Sequence, residues 1–400
     1  MTTTAGGPQD LLRADHIGSF GRPRALLDAQ AAFDAAGGDA SGGDATALRA
    51  AEDEAIREVV ARQEAIGFPV VTDGEFRRRN FQDSFGAAVS GYETAENPNA
   101  YHEWRESSKS QKQERVMSGP AVAGPPVVTR RAAVERLKLV HNLPLEEWRF
   151  ANEVANVPTK VTLIGPDRIS QRFDYQRSGG VYEGLDDFTD DVIAIEREMI
   201  KGLADAGCTY VHIDAPGYTA YLNGPSLEAM RARGEDTDEN LDRSIRADNA
   251  LLEGFPGVTF GIHLCRGNSR AVDPATGKLV AQWHREGSYD AIAERLFAGL
   301  HHKRLLLEYD SERAGSFEPL RFVPKDKIVV LGLVTTKSTD IETVDDLKRR
   351  IDQAAKFISI DQLALSPQCG FGSAAADALP DDAQWRKLEA VLEAAAQVWG

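Results

Sequence analysis

Short apolar runs alternate with longer stretches of helical periodicity through most of this chain, and no other feature limits its folds as tightly. Val70-Val71-Thr72-Asp73, Lys160-Val161-Thr162-Leu163, Tyr210-Val211-His212-Ile213-Asp214, Val258-Thr259-Phe260, Arg304-Leu305-Leu306-Leu307-Glu308, Ile328 to Leu333 and Leu363-Ala364-Leu365 each read as a strand. Strands that are apolar on both faces belong in a parallel sheet, where crossover helices cover both sides. The intervening patterns supply those helices, over about residues 44–66, 187–206, 240–252, 289–300 and 382–398. A further helix is predicted to open on Thr339-Asp340-Ile341-Glu342, a capping-box pattern, and to bury Val344, Leu347, Ile351 and Ala354. With Asp15 to Phe20 counted first, roughly eight strands are interleaved with helices, and neither a repeat nor a linker divides the chain. The expected fold is a TIM-type (β/α)8 barrel, a single domain over residues 1–400. Residues 86–156 fit the alternation poorly, being charged around Tyr101 to Arg115 and Pro-rich around Gly119 to Pro126. They are expected to form a long insertion, or lid, over the C-terminal mouth.

A formal net charge of -16 argues against nucleic acid or an anionic membrane surface as a partner, because phosphate binding needs a basic face. No window approaches the roughly 18 uncharged apolar residues of a membrane span. The first residues lack the basic and apolar segments of a secretion signal. Cys208, Cys265 and Cys369 are too few and too widely separated for a disulfide framework. A cytoplasmic protein with reactive or metal-binding thiols is expected.

In a barrel of this kind the chemistry gathers at the C-terminal ends of the strands. Ser19, Asp73 with Glu75, Asp214, His263 with Cys265, Glu308 and Cys369 all fall there. Side chains two residues apart on a strand share a face, about 7 Å from one another. His263 and Cys265 can therefore grip one metal ion. Cys369 follows another apolar run in Ser366-Pro367-Gln368-Cys369-Gly370, where burial as a small hydrophobe is unnatural. One His and two Cys with an open fourth position make the ligand set of a reactive zinc site. Glu308 closes a leucine run, and a buried carboxylate without a partner is costly, so it serves as a fourth ligand or a supporting base. Cys208, early in its strand, is read as a buried small hydrophobe. His212, one residue out of phase with Ile213 and two from Asp214, is expected to pack or to face a helix.

With these residues in view, the chain resembles the cobalamin-independent methionine synthase family, most closely its short single-barrel members. The resemblance runs from Leu12-Arg13-Ala14-Asp15-His16-Ile17-Gly18-Ser19-Phe20 through Val71-Thr72-Asp73-Gly74-Glu75-Phe76-Arg77-Arg78 to His263-Leu264-Cys265-Arg266-Gly267-Asn268. It continues in Leu306-Leu307-Glu308-Tyr309-Asp310-Ser311-Glu312-Arg313-Ala314-Gly315 and Leu365-Ser366-Pro367-Gln368-Cys369-Gly370-Phe371. It implies a zinc ion on His263, Cys265 and Cys369, with Glu308 as the exchangeable ligand or its neighbour. It also implies that a zinc-bound homocysteine sulfur takes the N5-methyl of a reduced folate, yielding methionine and tetrahydrofolate. By the same carry-over, the backbone around Ile17 and Ser19 holds the amino acid's carboxylate, and Glu75 with Asp214 receives its ammonium. The expected partners are thus a small-molecule thiol and a methyl donor, with self-association left open.

The chain departs from the family in three places. The long members have two barrels and this chain has room for one, which opens the identity of the donor. Asp214-Ala215-Pro216 lacks the acidic residue that usually follows the strand aspartate. Thr335-Thr336-Lys337-Ser338 stands where the long members carry a histidine that helps protonate the leaving group, which makes Lys337 the candidate general acid. A rival reading turns the same zinc-bound thiol on another electrophile, as in epoxide opening by coenzyme M, and requires a cation such as Arg266, Arg313 or Arg321 for the sulfonate. A third, of another class, is a non-catalytic zinc- or thiol-binding barrel with a closed four-ligand site.

Overall fold

A computed structural model describes residues 12–36, 43–78, 84–93, 131–171, 173–174, 177–232, 234–272, 279–283, 285–372, 379 and 381–400. Ten strands occur among them. In chain order they are β1 (Val89–Tyr92), β2 (Ala133–Leu139), β3 (Val161–Ile164), β4 (Tyr210–Asp214), β5 (Thr259–Leu264), β6 (Asn268–Val272), β7 (Leu279–Trp283), β8 (Arg304–Glu308), β9 (Ile328–Val334) and β10 (Leu363–Pro367). Six of these form one sheet in the order β10-β9-β8-β5-β4-β3, with every neighbouring pair parallel. The other four make two antiparallel pairs, β1 with β2 and β6 with β7.

Burial explains why the strands of the large sheet lack polar alternation. Every residue of β3, β4, β8, β9 and β10 is buried, since helices or the sheet's own interior cover both faces. The helix Leu185–Asp205 connects β3 to β4 and turns Phe188, Val192, Ile195, Met199, Ile200 and Leu203 inward at three- and four-residue spacing. Thr237–Leu252 precedes β5, Val344–Ala354 precedes β10, and Asp381–Trp399 follows it. The expected helix over 289–300 divides into a 3-10 turn, Tyr289–Ala291, and a helix, Ala293–Gly299. No helix among the described residues is long and apolar enough to cross a membrane.

The eight expected strands are six regular ones and two segments that make only isolated bridges. Ala14 bridges Leu365 of β10, and Val71 bridges Thr159 just ahead of β3, both in parallel sense. The two segments meet each other, since Phe20 N donates to Gly74 O at 3.1 Å and Thr72 Oγ1 to Gly18 O at 2.7 Å. Neither extends a ladder, for identifiable reasons. The Gln63 side chain takes both backbone groups of Thr72, accepting from its N–H and donating to its carbonyl. Gly18 sits at φ 141°, where a Cβ would stand 2.8 Å from Thr162 Cγ2.

The capping box also needs correction. The cap of helix Val344–Ala354 is Thr343, whose hydroxyl accepts from Asp346 N. Glu342 points elsewhere, accepting from Thr335 N and pairing with Lys387, so the true start lies four residues beyond Thr339. Of residues 86–156, the part over 94–130 lies outside the described residues. The last part is a regular helix, Leu143–Val154, packed on helices Gly43–Ala65 and Leu185–Asp205 and on β3. That portion belongs to the helical layer.

Candidate metal centre

The C-terminal ends of β5, β8 and β10 converge. His263 lies in β5 and Cys265 directly follows it, Glu308 ends β8, and Cys369 comes two residues after β10. One ligand atom from each lies within 4.8 Å of every other, and all four residues are buried. Cys369 reaches Cys265 across β8 and β9, so the sheet must curl strongly between its edge and β5. The turn bearing Cys369 is pinned by Gln368, whose N–H donates to Val334 O and whose Oε1 accepts from Thr336 N and Oγ1. It also presses on Ser19. Phe371 N donates to Ser19 O at 2.9 Å, and a Cβ on Gly370 would meet Ser19 Oγ at 2.0 Å.

The donor atoms are oriented for a shared cation. His263 directs Nδ1 to Leu306 O at 3.3 Å, which turns Nε2 toward Cys369 and toward Glu308 Oε1, 3.8 Å away. Nε2 finds no regular hydrogen bond in that direction. The Cys265 and Cys369 sulfurs are 3.7 Å apart. Two thiolates at roughly 2.3 Å from a tetrahedral zinc stand roughly 3.8 Å from each other, so the pair fits that ion. A hydrogen bond from Cys265, opposed by burial and helped by His263 and the Lys337 ammonium, pulls the Cys369 thiol well below its ordinary range. The Cys265 thiol is pushed up by that same hydrogen bond and by burial. The two cysteines thus titrate as a coupled pair, in which the thiolate form is favoured at Cys369. Burial acts to lower the His263 pKa, but the neighbouring Cys369 and its charge, then Asp214 and Glu308, carry it up to about 9.

An acidic pair adjoins this cluster. Burial, partly offset by His263 and reinforced by Cys369, raises Asp214 to about 6. Burial also raises Glu75, with Arg78 opposing and Asp214 adding to the rise, so the two carboxylates feel each other's charge. Glu75 is the one non-glycine residue with positive φ among the described residues, at 59°. Its Oε1 accepts from Thr162 Oγ1 at 2.7 Å, and Thr162 Oγ1 accepts from Arg78 Nη1 at 2.8 Å. Arg78 is bound in turn to Glu147 through Nε and Nη2.

Of the residues predicted from sequence, His263, Cys265, Glu308 and Cys369 come together, Glu75 and Asp214 lie within each other's field, and Lys337 is buried near Cys369. Ile17 packs its side chain among Leu306, Val330 and Ala364. Cys208 is buried away from the cluster, its thiol on Tyr210 O. His212 packs in the interior, as expected, and is wholly buried. Its Nε2 lies 3.3 Å from Asp214 Oδ1, and its ring centroid is 6.1 Å from that of His263. The two-residue rule that joins His263 to Cys265 also joins His212 to Asp214. Arg78, Glu147, Thr162 and the Arg313 contact with Glu308 escaped the sequence reading, because their partners are distant in sequence or carry no local signature.

Comparison with known proteins accords with this geometry. The family described as the catalytic domain of the cobalamin-independent synthase matches residues 306–396, which include Glu308, Lys337 and Cys369. The uncharacterized protein YxjH of Bacillus subtilis is 34% identical over 97% of this chain and 94% of its own. The chain belongs to the cobalamin-independent methionine synthase family. A relative named methionine synthase, from Pyrococcus abyssi, is 24% identical over 90% of this chain and 86% of its own length. In fold, this family member matches a Listeria monocytogenes protein assigned as a vitamin-B12-independent methionine synthase, with a TM-score of 0.70 at 24% identity over 97% of this chain and 98% of that one.

Proposed function

We propose that the protein is a zinc-dependent thiol alkyltransferase that moves a methyl group from 5-methyltetrahydrofolate, or a related donor, to the sulfur of homocysteine. The observation that carries this reading is the buried convergence of His263, Cys265, Glu308 and Cys369 beside the acidic pair Glu75 and Asp214. His263, Cys265 and Cys369 would hold the ion, with Glu308 as the exchangeable fourth ligand. Bound there, zinc favours the thiolate form of a substrate thiol at neutral pH.

The remaining tasks fall to the chain's own residues. Glu75 and Asp214 are two carboxylates with mutually raised affinity for positive charge, which suits them to an α-ammonium group. The backbone around Ile17 and Ser19 is assigned to the carboxylate of the same amino acid. Lys337 is assigned to the proton that the leaving nitrogen needs. The fold is read as a single (β/α)8 barrel over residues 1–400, with the two bridging segments as its irregular strands. A reducing cytoplasmic setting accords with three free thiols.

The coenzyme M reading loses support at its arginines. Arg313 is committed to Glu308 and Asp310, and Arg321 sits in the open beside Glu318. Arg266 lies fully buried on the ring of Tyr289, with Nη1 on Gly287 O. The deciding experiment crosses homocysteine and coenzyme M with methyltetrahydrofolate, methylcobalamin and a small epoxide. Turnover of homocysteine with a methyl donor is expected. Turnover of another pair without any of homocysteine rejects this substrate, and zinc binding with no turnover at all favours the non-catalytic barrel. In the same assay Glu75→Gln and Asp214→Asn are expected to lower kcat/KM for homocysteine by about 10–100-fold while zinc content holds.

A further inference from the structure

We infer that Arg313 is a positioning residue for the metal centre: its guanidinium, together with the backbone N–H of Arg266, fixes the Glu308 carboxylate with one oxygen toward the ligand cluster. The inference rests on the zinc reading above and deepens it. Arg313 Nη2 donates to Glu308 Oε2 at 2.6 Å, and both side chains are wholly shielded from solvent. Arg266 N donates to the other oxygen, Oε1, at 3.0 Å, and that oxygen faces His263 Nε2 at 3.8 Å. A carboxylate held on different oxygens by donors from two separate segments keeps one rotamer and one plane.

The holders are themselves fixed. Arg313 lies in the 3-10 turn Glu312–Ala314 that follows β8, and its Nη2 also reaches Asp310 Oδ1 at 3.4 Å. Gly287 ties this turn to the other segment: its N–H donates to Arg313 O at 3.1 Å, while its carbonyl accepts from Arg266 Nη1 at 2.7 Å. Glu308, Arg313, Gly287 and Arg266 therefore form a closed circuit of hydrogen bonds, with Cys265 next to Arg266 in the chain. Arg313 acts through Glu308, as the outer partner of a metal ligand does when it sets that ligand's direction. Lysine would keep the charge but lose the planar fork that aims it.

The test measures zinc affinity by competition with a chromophoric chelator on the purified, metal-stripped full chain, with the cobalt(II) absorption spectrum as a second readout. Arg313→Gln is expected to weaken zinc by about 10–100-fold, and Arg313→Lys to recover part of the loss. In a Glu308→Gln background the Arg313→Gln change is expected to add nothing, because the residue it positions is gone. The cobalt spectrum of Arg313→Gln should move toward that of Glu308→Gln. Wild-type affinity in a folded Arg313→Gln protein overturns the inference, and so does a full additional loss in the Glu308→Gln background. Should Arg313→Gln fail to fold, Arg313→Lys with wild-type zinc affinity and an unchanged cobalt spectrum overturns it equally. A wild-type chain that binds zinc no better than a Cys265→Ser, Cys369→Ser double variant removes the zinc reading itself, a separate result.

Discussion

The sulfur atoms of Cys265 and Cys369 lie 3.7 Å apart, and neither residue is in a disulfide. At that spacing the two thiols titrate as a pair, and a thiophilic cation binding both would displace their protons. Replacing either cysteine by serine removes a soft ligand while leaving shape and burial nearly unchanged. Each variant is expected to stay folded by circular dichroism and to bind zinc more than 100-fold more weakly, beyond the roughly 10–100-fold loss typical of an outer partner. Metal analysis showing near-stoichiometric zinc in both variants would exclude this ligand set.

Arg78 and Glu147 form a buried ion pair at 2.6 Å, with Thr162 and Glu75 attached to the same guanidinium. Glu147→Ala strands most of a buried charge, so a destabilisation of about 3–5 kcal/mol is expected in urea unfolding. Because Thr162 also holds Glu75, the homocysteine KM should rise. An unchanged KM in a destabilised protein would make the network purely structural.

Burial drives the Asp248 pKa up to about 8, with the Tyr218 hydrogen bond opposing and the Asp167 charge adding to the rise. A carboxyl whose folded pKa exceeds its unfolded value favours the fold while it is protonated. That contribution is complete below about pH 4 and is lost as pH climbs to about 8. Asp248→Asn copies the protonated shape and keeps an acceptor for the Tyr218 hydroxyl, which stands 2.6 Å from Oδ2. The variant should therefore lose less stability than wild type between those limits, by on the order of a few kcal/mol. Parallel curves of stability against pH for the two proteins would refute this, and Glu196, buried beside Asp248, is the group to replace next.

Lys337 is buried, and its charge supports the Cys369 thiolate. Lys337→Met is expected to cut kcat by about 10²–10⁴, the usual worth of a general acid, with zinc still bound. If zinc affinity falls while kcat on zinc-loaded protein is unchanged, Lys337 serves the thiolate and the leaving group finds its proton elsewhere.

Strands β4 and β8 were legible to the residue, because a strand buried on both faces leaves an uninterrupted apolar run. The segments around Asp15 and Val71 were not. Their backbone groups are taken by partners such as the Gln63 amide, which no local pattern announces. The cluster of His263, Cys265, Glu308 and Cys369 could be read because each residue ends an apolar run, so chemistry and position coincided. Arg313, Arg78 and Glu147 carry ordinary charges in ordinary contexts, and only the folded chain reveals which carboxylate each arginine meets.

The four donors come from three strands, and the two cysteines stand 104 positions apart in the chain. No such set of donors exists before β5, β8 and β10 have docked, so an ion held here acts as a cross-link that only the finished fold can form. It closes a loop long enough for its tether to matter, and its free energy of binding adds to the cohesion of the whole sheet. Scarcity of metal then becomes a question of survival for the polypeptide as well as of turnover. A molecule without such an ion would open more often, and each opening would be a chance for proteolysis.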